Sequence, residues 1–202
     1  MRAYLWIALL VIGCGSKEGG GKAGDKAPPA VDARAELAAV AAKAVPEVNA
    51  RLPDSLRGKL EFVAVLGEKD HHIAVQPKGW TAGNIPGSVK PPDDAQLGFM
   101  TGFSTGTNCD GTCEPKPWDA VSDKVSFQQF KRADFTVDKD EKLDHGRLLV
   151  AHTTDRVYIV AAFWKDGARR YFTCDATLDQ EIAAAAPAFE QACRAMKILA
   201  WD

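Results

Sequence analysis

The residues of this chain best equipped for covalent chemistry are its five cysteines, because the thiolate is the strongest nucleophile among ordinary side chains. Cys14 stands apart from the others. It follows Gly13 at the end of an apolar run, residues 5–12, that contains Trp6, Ile7, Leu9, Leu10, Val11 and Ile12. Met1 and Arg2 precede the run with a single positive charge, so residues 1–13 have the layout of a short signal peptide. Eight apolar residues span about 12 Å as a helix, against the roughly 20 residues that a permanent membrane span needs. The segment is therefore expected to be cleaved and the protein exported. In an oxidising compartment the remaining Cys109, Cys113, Cys174 and Cys193 read as two disulfides. Four cysteines allow three pairings. We favour Cys109–Cys113, which closes a tight turn, and Cys174–Cys193, which ties a strand to the last helix. The competing reading of Cys-x3-Cys is a metal or redox site; it lacks a nearby histidine and the two-residue spacing of a thioredoxin-type pair.

Other chemistry-bearing types do not fall into a working pattern. His71 and His72 are adjacent on a strand and point to opposite faces, and His145 and His152 also differ in parity. No His-Glu-x-x-His and no Cys-x-x-Cys pair occurs, so no metal site is expected. Asp134, Asp138, Asp140, Glu141 and Asp144 cluster like a calcium loop. Counted from Asp138, however, Lys142 and Leu143 stand where a ligand and the turn glycine belong. A solvated charged loop is the simpler reading. Gly98, Gly102 and Gly106 lack the Gly-Lys-Ser/Thr ending of a phosphate loop, and no Gly-x-Ser-x-Gly elbow appears. Trp80, Trp118 and Trp164 are candidates to line a ligand cleft, set against the plainer role of anchoring loops to the core. No cofactor is expected.

The totals narrow the function classes. The chain has 202 residues, with 25 basic and 27 acidic side chains. Cleavage before Cys14 would leave 189 residues and a net charge of −3, without the basic excess of a nucleic-acid binder. Residues 14–30 are Gly-, Lys-, Ala- and Pro-rich with no large apolar side chain, which reads as a flexible tether. Its mean reach is on the order of 20 Å. Residues 31–202 are enough for one domain with a real core.

Periodicity gives the elements that must position these residues. Asp32 caps a helix with an apolar stripe through Ala33, Leu37, Val40, Ala41, Ala44, Val45 and Val48, which Pro46 ends or kinks. Strands are expected at residues 60–66 and 72–75, and at 96–103 with Leu97, Phe99 and Thr101 on one face. A short helix is expected over residues 118–125. A long exposed strand follows at 127–137, then strands at 147–152, 156–164 and 169–174, the last pair joined at Asp166-Gly167. Thr177 and Gln180 form a capping box opening a final helix with Ile182, Ala185, Ala186, Phe189, Cys193, Met196 and Leu199 inward, kinked or restarted at Pro187. Hairpin connections predominate, so the fold class is α+β: a single domain with a mostly antiparallel sheet packed by an N-terminal and a C-terminal helix.

Two resemblances add to this reading. Val11-Ile12-Gly13-Cys14 resembles the lipobox of bacterial lipoproteins, which implies cleavage after Gly13, a diacylglycerol on the Cys14 thiol and acylation of the new amino terminus. Two or three chains would anchor the protein almost permanently, at about 0.8 kcal/mol per buried methylene. Gly15 follows where enteric bacteria place the aspartate that retains lipoproteins in the inner membrane, which favours the outer membrane. The strand Ile73-Ala74-Val75-Gln76 running into Pro77-Lys78-Gly79-Trp80, with later hairpins and a returning helix, resembles the PsbP-like fold over residues 60–199. The extra N-terminal helix and the cysteine-bearing insertion depart from it. Members mostly act as binding or assembly factors. The combined expectation is a lipid-anchored, non-catalytic binding or assembly module facing the periplasm, with the membrane and an envelope protein as partners. The alternatives are a small exported hydrolase with a cryptic site and an immunity-type lipoprotein.

Overall fold

The structure, a computed structural model, describes residues 32–109, 113–115, 117 and 127–201. Helix α1 (Ala33–Ala50) begins where the sequence places it, with the Asp32 carboxylate accepting from the backbone of Arg34 at 3.0 Å and Ala35 at 3.3 Å. Val40 and Val48 are buried and Leu37, Ala44 and Val45 pack beside them, whereas Ala41 faces outward. Pro46 does not end the helix, which continues to Ala50. The ring costs one backbone bond. Packing of Val48, together with an Asn49 side chain bonded to Phe62, holds the last turn.

Strand β1 (Phe62–Leu66) pairs antiparallel with β2 (His72–Pro77), and β2 pairs on its other side with a two-residue strand near the end of the chain, Lys197–Ile198. The larger sheet is also antiparallel throughout. Its strands are β3 (Thr81–Ala82), β4 (Ser88–Lys90), β5 (Gly102–Asn108), β6 (Thr136–Leu143), β7 (Gly146–His152), β8 (Arg156–Phe163) and β9 (Tyr171–Asp179), in the order β3-β4-β5-β9-β8-β7-β6. Helix α2 (Ala186–Arg194) crosses one face, and Lys197–Ile198, here β10, follows it. Val31–Asp202 forms one compact α+β unit, as the sequence pattern requires.

Alternation along the central strands gives the sheet two buried faces. Leu148, Val150, Ile159, Ala161, Phe172 and Cys174 pack toward the helices, while Leu149, Ala151, Val160 and Ala162 pack against Phe127 and Phe130. Phe189 of α2 centres the first core, at 5.0 Å from Phe62 and 6.0 Å from Phe103 between ring centroids. The disulfide Cys174–Cys193 joins β9 to α2 through two fully buried residues, and Cys109–Cys113 is also bonded. Both favoured pairings are present.

Four local expectations are corrected. The strand expected at residues 96–103 starts only at Gly102, because Gln96 and Gly98 adopt left-handed backbone, φ +52° and +93°. Residues 127–137 open with a 3-10 turn (Gln128–Lys131), since Phe127 and Phe130, three apart, bury together on the second face. Asp138, Asp140 and Glu141 of the charged cluster lie not in a loop but on the edge strand β6, between Asp134 and Asp144 in the flanking turns, and the strand's charges are paired: Asp140 with Arg147, Asp138 with His152, and, from more than 50 residues along the chain, Glu141 with Arg194 and Lys139 with Glu190. Hydrogen bonds from Arg147 hold the Asp140 carboxyl below the usual carboxylate range. Thr177 caps nothing: β9 continues to Asp179, and Gln180 donates to the Thr154 carbonyl at 2.9 Å. α2 begins later, with Pro187 in its first turn, where a proline fits without kinking. The expected helix at 118–125 lies outside the described residues.

Candidate functional site: a pinned apolar tip

Between β4 and β5 the chain makes a tip whose backbone is unusually well held. Gly98 sits at φ +93°, a conformation open to glycine, and a Cβ there would collide with Asp179. Asp179, last residue of β9, accepts from the Met100 amide at 2.7 Å and from Arg156 Nε at 2.9 Å. The buried Thr101 hydroxyl donates to the Leu97 carbonyl at 2.6 Å and accepts from the Asp179 amide at 3.1 Å. Leu97 and Thr101 are thereby drawn inward, and the residues between them are turned out. Phe99 is 96 % exposed and Met100 48 %.

A groove of about 680 Å³ adjoins the tip, lined by Lys90, Pro91, Pro92, Gln96, Leu97 and Phe99 among others. Asn84 lines its far wall, and the neighbouring Ile85 is 70 % exposed. Ser88 fixes that turn: its hydroxyl donates to the Ile85 carbonyl at 2.6 Å and accepts from the Ile85 amide at 3.3 Å. Three large apolar side chains are thus presented on backbones that do not need to be ordered first. Such preorganisation lowers the entropic cost of association, and aromatic anchors dominate interface energetics. The sequence pattern places Phe99 on one strand face with Leu97 and Thr101, whereas the structure turns it out alone; the available signal against the strand was the flanking Gly98 and Gly102.

The tip lies at the Asp179 end of β9. Helix α2 runs from that end to Arg194, and Lys197 beyond it shares a second groove with Leu143, His145, Phe163 and Trp201 at the opposite end of the sheet. Lys197 pairs with Glu36 in the first turn of α1. Asp32 and Phe99 therefore stand at opposite ends of the domain.

Besides the paired cysteines, the tryptophans singled out from sequence that lie among the described residues do not converge. Trp80 is half-buried against Phe189, 5.8 Å between centroids, in the helix-covered core. Trp164 packs in the cluster on the other face of the sheet. A single cleft lined by both is ruled out by that placement. Trp118 and Cys14 lie outside the described residues. His72 is buried, its Nε2 3.3 Å from the Thr105 hydroxyl, while His71, just before the strand, is half-exposed. Among the described residues, no group of three His, Cys, Asp or Glu side chains is placed to hold a metal ion, and no helix is long and apolar enough to cross a membrane.

One carboxyl is set in an unfavourable position for charge. Asp175, on β9, has Ser104 and Val160 as cross-strand neighbours, and burial pushes its carboxyl up to about 7 despite a Thr173 hydrogen bond that favours the anion. The folded state therefore holds this proton more tightly than the unfolded chain. Stability from this group is complete below about pH 4 and is lost as pH rises toward 7, a change on the order of 2–4 kcal/mol. Urea titrations between pH 4 and 8 are expected to show this decline, and Asp175→Asn is expected to flatten it. A wild-type and variant pair with the same pH slope would contradict the assignment.

No protein-family model matches the chain, and no curated protein matches it.

Proposed function

We propose that this chain is a lipid-anchored lipoprotein of the cell envelope, tethered at Cys14, which acts as a non-catalytic binding or assembly module and engages an envelope protein through the Phe99 tip. The observation that carries the reading is a rigid backbone presenting a phenylalanine almost wholly to solvent. Exposed apolar side chains clustered beside a groove, as Phe99, Met100 and Ile85 are, mark an interaction site rather than chance exposure. The anchor end rests on residues 1–14: a short charged start, an apolar run and Val11-Ile12-Gly13-Cys14. Residues 15–30 supply reach. Attachment at Asp32 and contact at Phe99 occupy opposite ends of the domain, so neither obstructs the other. The outer membrane and a resemblance to the PsbP-like fold belong to the same proposal, the first on Gly15 and the second on the Pro77-Lys78-Gly79-Trp80 motif with its hairpins and returning helix.

The test places a photo-crosslinking amino acid at Met100 of the full chain in intact cells. One discrete adduct to an envelope protein is the expected outcome. Only diffuse background, equal to that from a probe at Val137 on β6, would refute the assignment of the tip.

A further inference from the structure

The smaller sheet ends on β1, and the hydrogen bonds around that strand fix which way its backbone groups point. The Gly67 amide donates to the His72 carbonyl at 2.8 Å and the Lys78 amide to the Glu61 carbonyl at 2.7 Å. Residues 61, 63, 65 and 67 therefore turn their backbone groups toward β2, and residues 62, 64 and 66 turn theirs outward. At Phe62 the outward pair is taken by one side chain: Asn49 Oδ1 accepts from the amide at 2.8 Å and Asn49 Nδ2 donates to the carbonyl at 3.1 Å. Beyond it, the described residues supply no partner for the outward N–H and C=O groups of Ala64 and Leu66, both only partly buried. Native folds leave almost no buried backbone group unpaired, so these four groups are met by water or by another strand.

Sheet edges in natural proteins carry devices against such pairing: very short strands, charges, prolines and bulges. The other edges among the described residues have them. β3 and β10 are two residues long, and β6 carries five charged side chains in its eight residues and a register shift between Val137 and Lys139. β1 reads Phe62-Val63-Ala64-Val65-Leu66, with no charge, proline or bulge.

We propose that β1 is a dimerisation edge, on which two copies of this chain pair antiparallel about a two-fold axis at Val65. The geometry is self-complementary. Ala64 lies opposite Leu66 of the partner subunit and Leu66 opposite the partner's Ala64, each pair exchanging two backbone bonds. All eight outward groups are then satisfied. Val65 faces the partner's Val65 as a non-hydrogen-bonded pair, with Cα atoms about 4.5 Å apart, the closest cross-strand spacing and one suited to β-branched side chains. Asn49 at one end and the left-handed turn at Lys69 and Asp70 at the other limit the ladder to these rungs. Glu61 precedes the strand and Lys69 follows it, so antiparallel pairing brings opposite charges together at both ends. A second copy fits this edge in shape, hydrogen bonding and charge.

The test uses the full chain. Val65→Cys places two thiols within disulfide reach across the axis, and air oxidation is expected to give a covalent homodimer. Val137→Cys on β6 and the unsubstituted chain are expected to give none. In sedimentation equilibrium the unsubstituted chain is expected to show a concentration-dependent dimer. Val65→Lys, which sets two like charges opposite each other on a half-exposed position, is expected to weaken it by about tenfold or more. Circular dichroism on Val65→Lys verifies the fold, and the cross-link at Val65→Cys stands independently of that variant. The proposal is overturned by absence of a Val65-dependent homodimer, by a dimer indifferent to Val65→Lys, or by an in-cell Val65→Cys adduct whose mass identifies a different protein.

Discussion

Cys174→Ser is expected to lower the stability of the domain by about 2–4 kcal/mol. The bond spans 19 residues of sequence, and closing a loop of that size removes about 3 kcal/mol of chain entropy from the unfolded state. A serine hydroxyl in a site with no solvent exposure adds on the order of 1 kcal/mol unless it finds a partner. For a domain of this size the melting temperature should fall by roughly 6–12 °C. Cys109→Ser, which opens a loop only four residues in separation, is expected to cost about 1 kcal/mol less. Urea unfolding of the two variants and of the reduced wild type measures this directly. Equal midpoints for Cys174→Ser and wild type would mean that β9 and α2 are held by packing alone.

The second large effect is on binding and leaves the fold intact. Phe99→Asp is expected to reduce the yield of the Met100 photo-adduct by about 30-fold, the loss that follows from removing an aromatic anchor worth about 2 kcal/mol. Because Phe99 is 96 % exposed and its backbone is held by Asp179 and Thr101, stability should change by no more than about 0.5 kcal/mol. A side chain that mattered for packing would behave in the opposite way, losing stability first and capture only as a consequence. Asp179→Ala separates the two further: it leaves Phe99 in place but removes the acceptor for the Met100 amide, so adduct yield should fall with the anchor still present.

How far the sequence was legible follows from the range of the interactions involved. Asp32 was readable as a cap because the groups it satisfies lie two and three residues away. β8 was readable because a run of Val, Tyr, Ile and Phe has few other uses. The pairing of Cys174 with Cys193 followed from placing one on a strand and the other on a helix that returns to it. β6 was misread because its charges find partners such as Arg194, 53 residues beyond Glu141, and local pattern gives no sign of them. The tip was misread for a different reason. Leu97, Phe99 and Thr101 alternate as a strand would, and only the left-handed backbone at Gln96 and Gly98 reverses Phe99. Trp80 and Trp164 looked equivalent in sequence, but each follows the end of a strand and packs on a different face of the fold, Trp80 against the helix-covered core and Trp164 against the Phe127 cluster, a choice that local pattern does not encode.

The central claim, an envelope protein held by lipid at Cys14, is tested most directly by intact mass spectrometry of the protein extracted with detergent from its native membrane. The expected product begins at Cys14 and carries a diacylglyceryl group with further acylation. Cys14→Ser is expected to yield the uncleaved chain of 202 residues without any lipid mass. An unmodified product that keeps Met1, found in a reducing compartment, would contradict the claim.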